Sequence, residues 1–161
     1  MVITLAPGVV LPHKIEALTG ELVSSGFTYG LGDKIVPLSC QWPNITSAPN
    51  AKQVDCSGDA CWILYHLTAG GISLDPENMN SSDLHQWCEG QGFDTCEVAD
   101  GHLRDSRLRM WFLTPEQGGG IGHVLFTCNG QTFESHGGKG PDSRPFGSEP
   151  FMHNMAGFAL T

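Results

Sequence analysis

The chain has 161 residues, 40% of them apolar, and a formal net charge of -9. That is enough for one domain with a sizeable core, and no apolar run is long enough to cross a bilayer. An acidic balance with no basic cluster against it excludes a partner held through phosphates, whether nucleic acid or an anionic membrane surface.

The opening MVITLAPGVVLPHK has no basic residue ahead of its apolar stretch and does not read as an export signal. Ile15, Leu18, Leu22 and Val23 then recur at helical spacing, which predicts a helix over His13–Ser25, stopped by Gly26. FTYGLGD follows as a turn-rich segment. The stretch Asp33–Val54 carries Pro37, Pro43 and Pro49 and reads as an irregular surface excursion, with Trp42 a candidate groove residue. In VDCSGDACWILYHL, Asp55 or Ser57 caps a second helix with Ala60, Cys61, Leu64 and Leu67 on its buried stripe. Gly70-Gly71 ends it. NSSDLHQWCEGQGF predicts a short helix over Ser82–Glu89, with His85 on a solvated face.

After that helix the period changes to that of strands. FDTCEVA, RLRMWFLT, GHVLFTC, QTFESHG and MAGFALT each read as one, and Asn129-Gly130 turns a hairpin between the third and fourth. Helices first and antiparallel strands later predict a single α+β domain over residues 1–161, its N-terminal helices packed on a C-terminal antiparallel sheet.

Six cysteines (Cys40, Cys56, Cys61, Cys88, Cys96 and Cys128) form no paired zinc spacing. Without an export signal, free thiols are favoured over a Cys88–Cys96 bridge. A metal held by His85, Cys88 and Cys96 would need a regular spacing that is not there. Cys56 differs from the others in standing at the first turn of a helix, where free N–H groups and the helix dipole stabilise a thiolate. His123 opens a strand after the flexible GGGIG and is the candidate base. On the next strand Glu134 and His136 are two residues apart and share a face, so either can orient the imidazole. A cysteine on a helix, a histidine on a strand and a polar partner beside it are the set that acyl-transfer chemistry requires.

VDCSGDACWILYHL resembles the Asp-Cys-Ser-Gly nucleophile motif of the NlpC-type cell-wall peptidases, a branch of the papain-like cysteine peptidases. GGGIGHVLFTCNGQTFESHGG is similar to that family's histidine hairpin, and GFTYGLGD to the tyrosine segment after its first helix. The three occur in the family's order and span most of Lys14–Gly140. The resemblance implies a papain-like fold, with Cys56 as nucleophile, His123 as general base and Tyr29 near the oxyanion. It implies that Asp55 and Ser57 flank the amino end of the substrate. Counted from the turn, the third polar position falls on Glu134, with His136 kept beside it. The implied activity is hydrolysis of an amide bond in peptidoglycan stem peptides, in the cell wall or periplasm, with no metal or cofactor. Acyl transfer or amidase chemistry on the same fold, and an inactive wall-binding module, are the rival readings. Among sparse cations (Lys34, Lys52, Lys139 and Arg144), Lys139 and Arg144 follow the hairpin and are candidates to meet a substrate carboxylate. Leu125 stands where the family has a small residue, and Asp33–Val54 is longer than the family's linker. Host, oligomeric state and membership of a larger phage or secretion assembly stay open.

Overall fold

The computed structural model describes residues 1–33, 52–75 and 79–161. Three α-helices and a six-stranded antiparallel sheet make up these residues, an α+β arrangement. Lys34, Cys40, Trp42 and the three prolines of the predicted excursion lie outside them. Its described flanks are tied together: Thr28 and Gln53 form a parallel bridge, and the Val54 amide donates to the Thr28 carbonyl at 3.0 Å.

Helix α1 spans His13–Ser24 and buries Ile15, Leu18, Thr19 and Leu22. Helix α2 spans Cys56–Thr68, and Ala69 ends it in the left-handed conformation. The expected stripe is buried, but so are Trp62, Ile63 and the whole first turn, because the helix is packed on more than one side. Helix α3, Ser81–Gln91, runs further at both ends than its apolar pattern predicts. Asn80 caps it and Asp83 completes a capping box, two signals that favour the earlier start. His85 is not on a solvated face: its ring stacks on Phe112 at 4.7 Å between centroids.

The strands are β1 (Asp94–Cys96), β2 (Arg109–Leu113), β3 (His123–Cys128), β4 (Gln131–His136), β5 (Gly140–Asp142) and β6 (Ala156–Ala159), in the order β1-β6-β2-β3-β4-β5. The segment FDTCEVA is strand only as far as Cys96; Val98–His102 turns into a 3-10 helix. Strand β5 has no strand signature in its sequence, since Gly and Pro both disfavour strands. It forms at the sheet edge, where Pro141 needs no amide for an outer neighbour.

Both faces of the sheet are covered. On one, Met110, Phe112, Val124, Phe126, Phe133 and Phe158 pack with the three helices. On the other, Trp111, Leu113 and Leu125 meet Phe146, Met152 and Met155. That double cover makes β2 buried at every position instead of alternating. The five described cysteines, Cys56, Cys61, Cys88, Cys96 and Cys128, are free thiols, so Cys88 and Cys96 are not bridged.

Candidate active site

Cys56 is the first residue of α2, and Asp55 caps it. One Asp55 oxygen accepts from the Gly58 amide at 2.7 Å and from the Ser57 hydroxyl at 3.1 Å. The other accepts from the Gly32 amide at 3.1 Å. A single carboxylate thus satisfies the helix start and fixes it to the loop carrying Tyr29. Asp55 and Ser57 are both buried, and both line the cleft beside Cys56. The Ser135 hydroxyl donates to the Val54 carbonyl at 2.7 Å, which anchors β4 to the residues just ahead of the helix.

Gly122 precedes His123 at the start of β3. A Cβ there would come within 2.6 Å of Ser81 Oγ and 3.1 Å of the Leu113 carbonyl, so glycine lets β3 begin close against α3 and the end of β2 without displacing either. The strand alternation puts His123, Leu125 and Thr127 on one face with Thr132, Glu134 and His136 of β4. His123 Nε2 hydrogen-bonds Glu134 Oε2 at 2.6 Å. With Nε2 so engaged, Nδ1 is the ring nitrogen left to face the Cys56 thiol, whose influence helps to raise the imidazole. The Phe151 ring stands edge-on to the imidazole at 5.7 Å and fixes its plane.

Behind this pair, Glu134 Oε1 accepts from Arg144 Nε at 2.7 Å and from the Thr132 hydroxyl at 3.2 Å. Burial works to raise Glu134, but the hydrogen bonds from His123 and Arg144 hold it below the ordinary glutamate value. Burial works to lower His123, and hydrogen bonds and charge from Cys56 and Glu134 overcome it and raise the imidazole to about 9. Burial, with the charges of Cys56 and Asp55, pushes the Tyr29 phenol up to about 12, so its hydroxyl keeps its proton and remains a donor. Tyr29 is seated by β5: Gly140, at a φ of +100°, is so close that a Cβ would lie 2.8 Å from Thr28 Cα and 2.9 Å from the Tyr29 amide nitrogen.

The structure therefore brings together Tyr29, Asp55, Cys56, Ser57, His123 and Glu134. The other three candidates are placed differently. His136 Nε2 hydrogen-bonds Asp142 at 3.0 Å, so Glu134 and not His136 is the residue on the imidazole. Lys139 Nζ pairs with Asp142 at 2.7 Å. Arg144 joins Glu134 and, through Nη1 at 2.9 Å, Glu149. Both cations point at carboxylates of this chain, partners that only the folded sheet edge brings into reach.

The surface over the pair is concave in two lobes that share Tyr29, Leu31, Ile121 and Gly122. One, of about 720 Å³, is lined by His123, His136, Arg144, Glu149 and Phe151. The other, of about 310 Å³, is lined by Asp55, Cys56, Ser57, Ser81 and Ser82. Among the described residues no group of His, Cys, Asp and Glu side chains is arranged to hold a metal ion. One residue close to the site has no counterpart in the sequence reading: Asp59, an acidic residue inside the buried stretch of α2. Its position three residues after Cys56, within an apolar run, was the available signal. Comparison of the chain with protein-family models, with curated proteins and with solved structures finds no match.

Proposed function

We propose that the protein is a papain-like cysteine hydrolase that cleaves an amide bond in bacterial cell-wall stem peptides. The observation that carries this reading is the Cys56–His123–Glu134 chain, with a thiol at a helix start, an imidazole between it and a buried carboxylate, and a groove on either side. Such a set activates a sulfur nucleophile without help from a second molecule. The substrate class follows from the Asp-Cys-Ser-Gly and histidine-hairpin resemblance, and a two-lobed groove suits a short peptide lying across the thiol.

In this reading His123 takes the thiol proton on Nδ1 and the thiolate attacks the amide carbonyl carbon. The Cys56 amide N–H and the Tyr29 hydroxyl stabilise the oxyanion. The imidazolium returns its proton to the leaving amine as the C–N bond breaks. Water, deprotonated by His123, then attacks the thioester and releases the acid. Glu134 holds the imidazole in register throughout.

Mass analysis of purified peptidoglycan digested with the protein tests the reading. Stem fragments with a new amino and a new carboxyl end, absent with Cys56→Ala, support it. Products in which an amine has replaced water point to acyl transfer instead. Intact peptidoglycan after exposure to a protein whose Cys56 is reactive refutes the substrate class.

A further inference from the structure

Asp59 lies on the first turn of α2, three residues beyond Cys56, and is 2% exposed. Helical side chains tilt toward the N-terminus, which aims this carboxyl back along the turn that bears Cys56 and Asp55. Its Oδ1 is buried with no hydrogen-bond partner. Among the described residues the titratable groups acting on it are Glu134 of β4, Asp55 at the helix cap and His123 of β3. The guanidinium behind Glu134, that of Arg144, is already divided between Glu134 and Glu149. An ionised carboxylate at this place would be a buried charge without a partner, beside a second buried carboxylate that is fully used.

We propose that Asp59 is a positioning residue carried as a neutral carboxylic acid beneath Cys56 and His123, and that its ionisation tightens the proton on His123. Neutral, it adds no unpaired charge beside Glu134, which is already matched by Arg144. Burial first, then the charges of Glu134 and Asp55, push Asp59 up to about 8, while His123 pulls the other way. The coupling is mutual: whatever His123⁺ does to favour the Asp59 carboxylate, that carboxylate does to favour His123⁺. As pH rises, Asp59 gives its proton to solvent and the imidazolium releases its own less readily to a leaving amine. That last consequence rests on the hydrolase reading; the location of the proton does not.

Infrared spectroscopy of the resting protein reads the proton directly. At neutral pH ordinary aspartates are ionised, so a carboxylic acid C=O band in the wild type that disappears in Asp59→Asn is the expected result. Nitrogen NMR of the imidazoles gives the coupling: in Asp59→Asn the His123 midpoint should fall by on the order of one pH unit. Should that variant fail to fold, carbon NMR of the wild type labelled at aspartate carboxyls follows Asp59 without mutation. Titration of Asp59 together with the exposed aspartates, or a His123 curve unmoved in Asp59→Asn, overturns the proposal. None of these measurements uses a substrate, so a chain that leaves peptidoglycan intact still gives a clear answer.

Discussion

Removing the guanidinium of Arg144 isolates the charge on Glu134. The Glu134 side chain has no exposed surface, and Arg144 supplies one of its two charged hydrogen bonds, at 2.7 Å; His123 supplies the other at 2.6 Å. Breaking a buried ion pair by deleting one partner costs about 3–5 kcal/mol, and 18% exposure of Arg144 puts this case at the lower end, about 3 kcal/mol for Arg144→Met. The contact with Glu149, which is 43% exposed, adds little. Glu134→Gln should also destabilise, but the double variant should lose about 2 kcal/mol less than the two single losses combined, since each removes what makes the other costly. Glu134 titrates below its unfolded value, so its stabilisation is present above that value and is lost as pH falls through the folded one. The penalty of Arg144→Met should therefore be full at neutral pH and shrink in acid. Urea unfolding of the four chains, neutral and acid, measures all of this. Additive losses, or an Arg144→Met penalty that is the same at both pH values, would refute the argument. Kinetics give a second reading: a residue that supports Glu134 should lower kcat, whereas one that binds a substrate carboxylate should raise KM.

Iodoacetamide should label Cys56 well ahead of the other described thiols, read by peptide mass mapping. Cys61 is fully buried, and burial pushes Cys88 up to about 12 and Cys128 up to about 11. Glu134→Gln removes a carboxylate that raises His123, so the imidazole should lose its proton below about 9 by NMR, and turnover should fall more than about tenfold. His136→Ala, which breaks the contacts with Asp142 and the Gly137 carbonyl and none with His123, should change turnover less than about threefold. Asp59 titrates above its unfolded value, so the stability of its neutral form is complete in acid and is lost as pH rises toward about 8. Relative to Asp59→Asn, the wild type should lose up to about 4 kcal/mol of unfolding free energy between mild acid and neutrality; a constant difference would contradict the burial argument.

Local signals made much of this architecture readable. The spacing of Ile15, Leu18 and Leu22 gave α1 to within a residue of its end, because one face is buried and the other wet. Asn129-Gly130 fixed the β3–β4 hairpin, and counting from that turn led to Glu134. What stayed hidden depends on distant partners. Strand β5 exists only because β4 offers an edge to Gly140–Asp142. The second sheet face was invisible because Trp111 and Leu125 look the same in sequence whether a partner covers them or not, and Phe146 and Met152 lie far along the chain. Lys139 and Arg144 read as open cations until folding set Asp142, Glu134 and Glu149 beside them. Asp59 escaped notice because a helix tolerates an acid in its first turn, and only the packing of β3 and β4 against α2 shows that this one is enclosed.

The contact of Gly140 with the Thr28–Tyr29 backbone links the two ends of the chemistry in time as well as in space. A ribosome makes Tyr29 and Cys56 early, and His123, Glu134 and Gly140 only much later. Until β5 joins β4, the Thr28–Tyr29 backbone lacks its contact with Gly140. In a growing chain Cys56 is thus made before His123 and Glu134, the residues that the later strands bring beside it. A chain that stops before Gly140 would lack the residue that touches the Thr28–Tyr29 backbone, together with Arg144, Glu149 and Phe151 of the larger lobe.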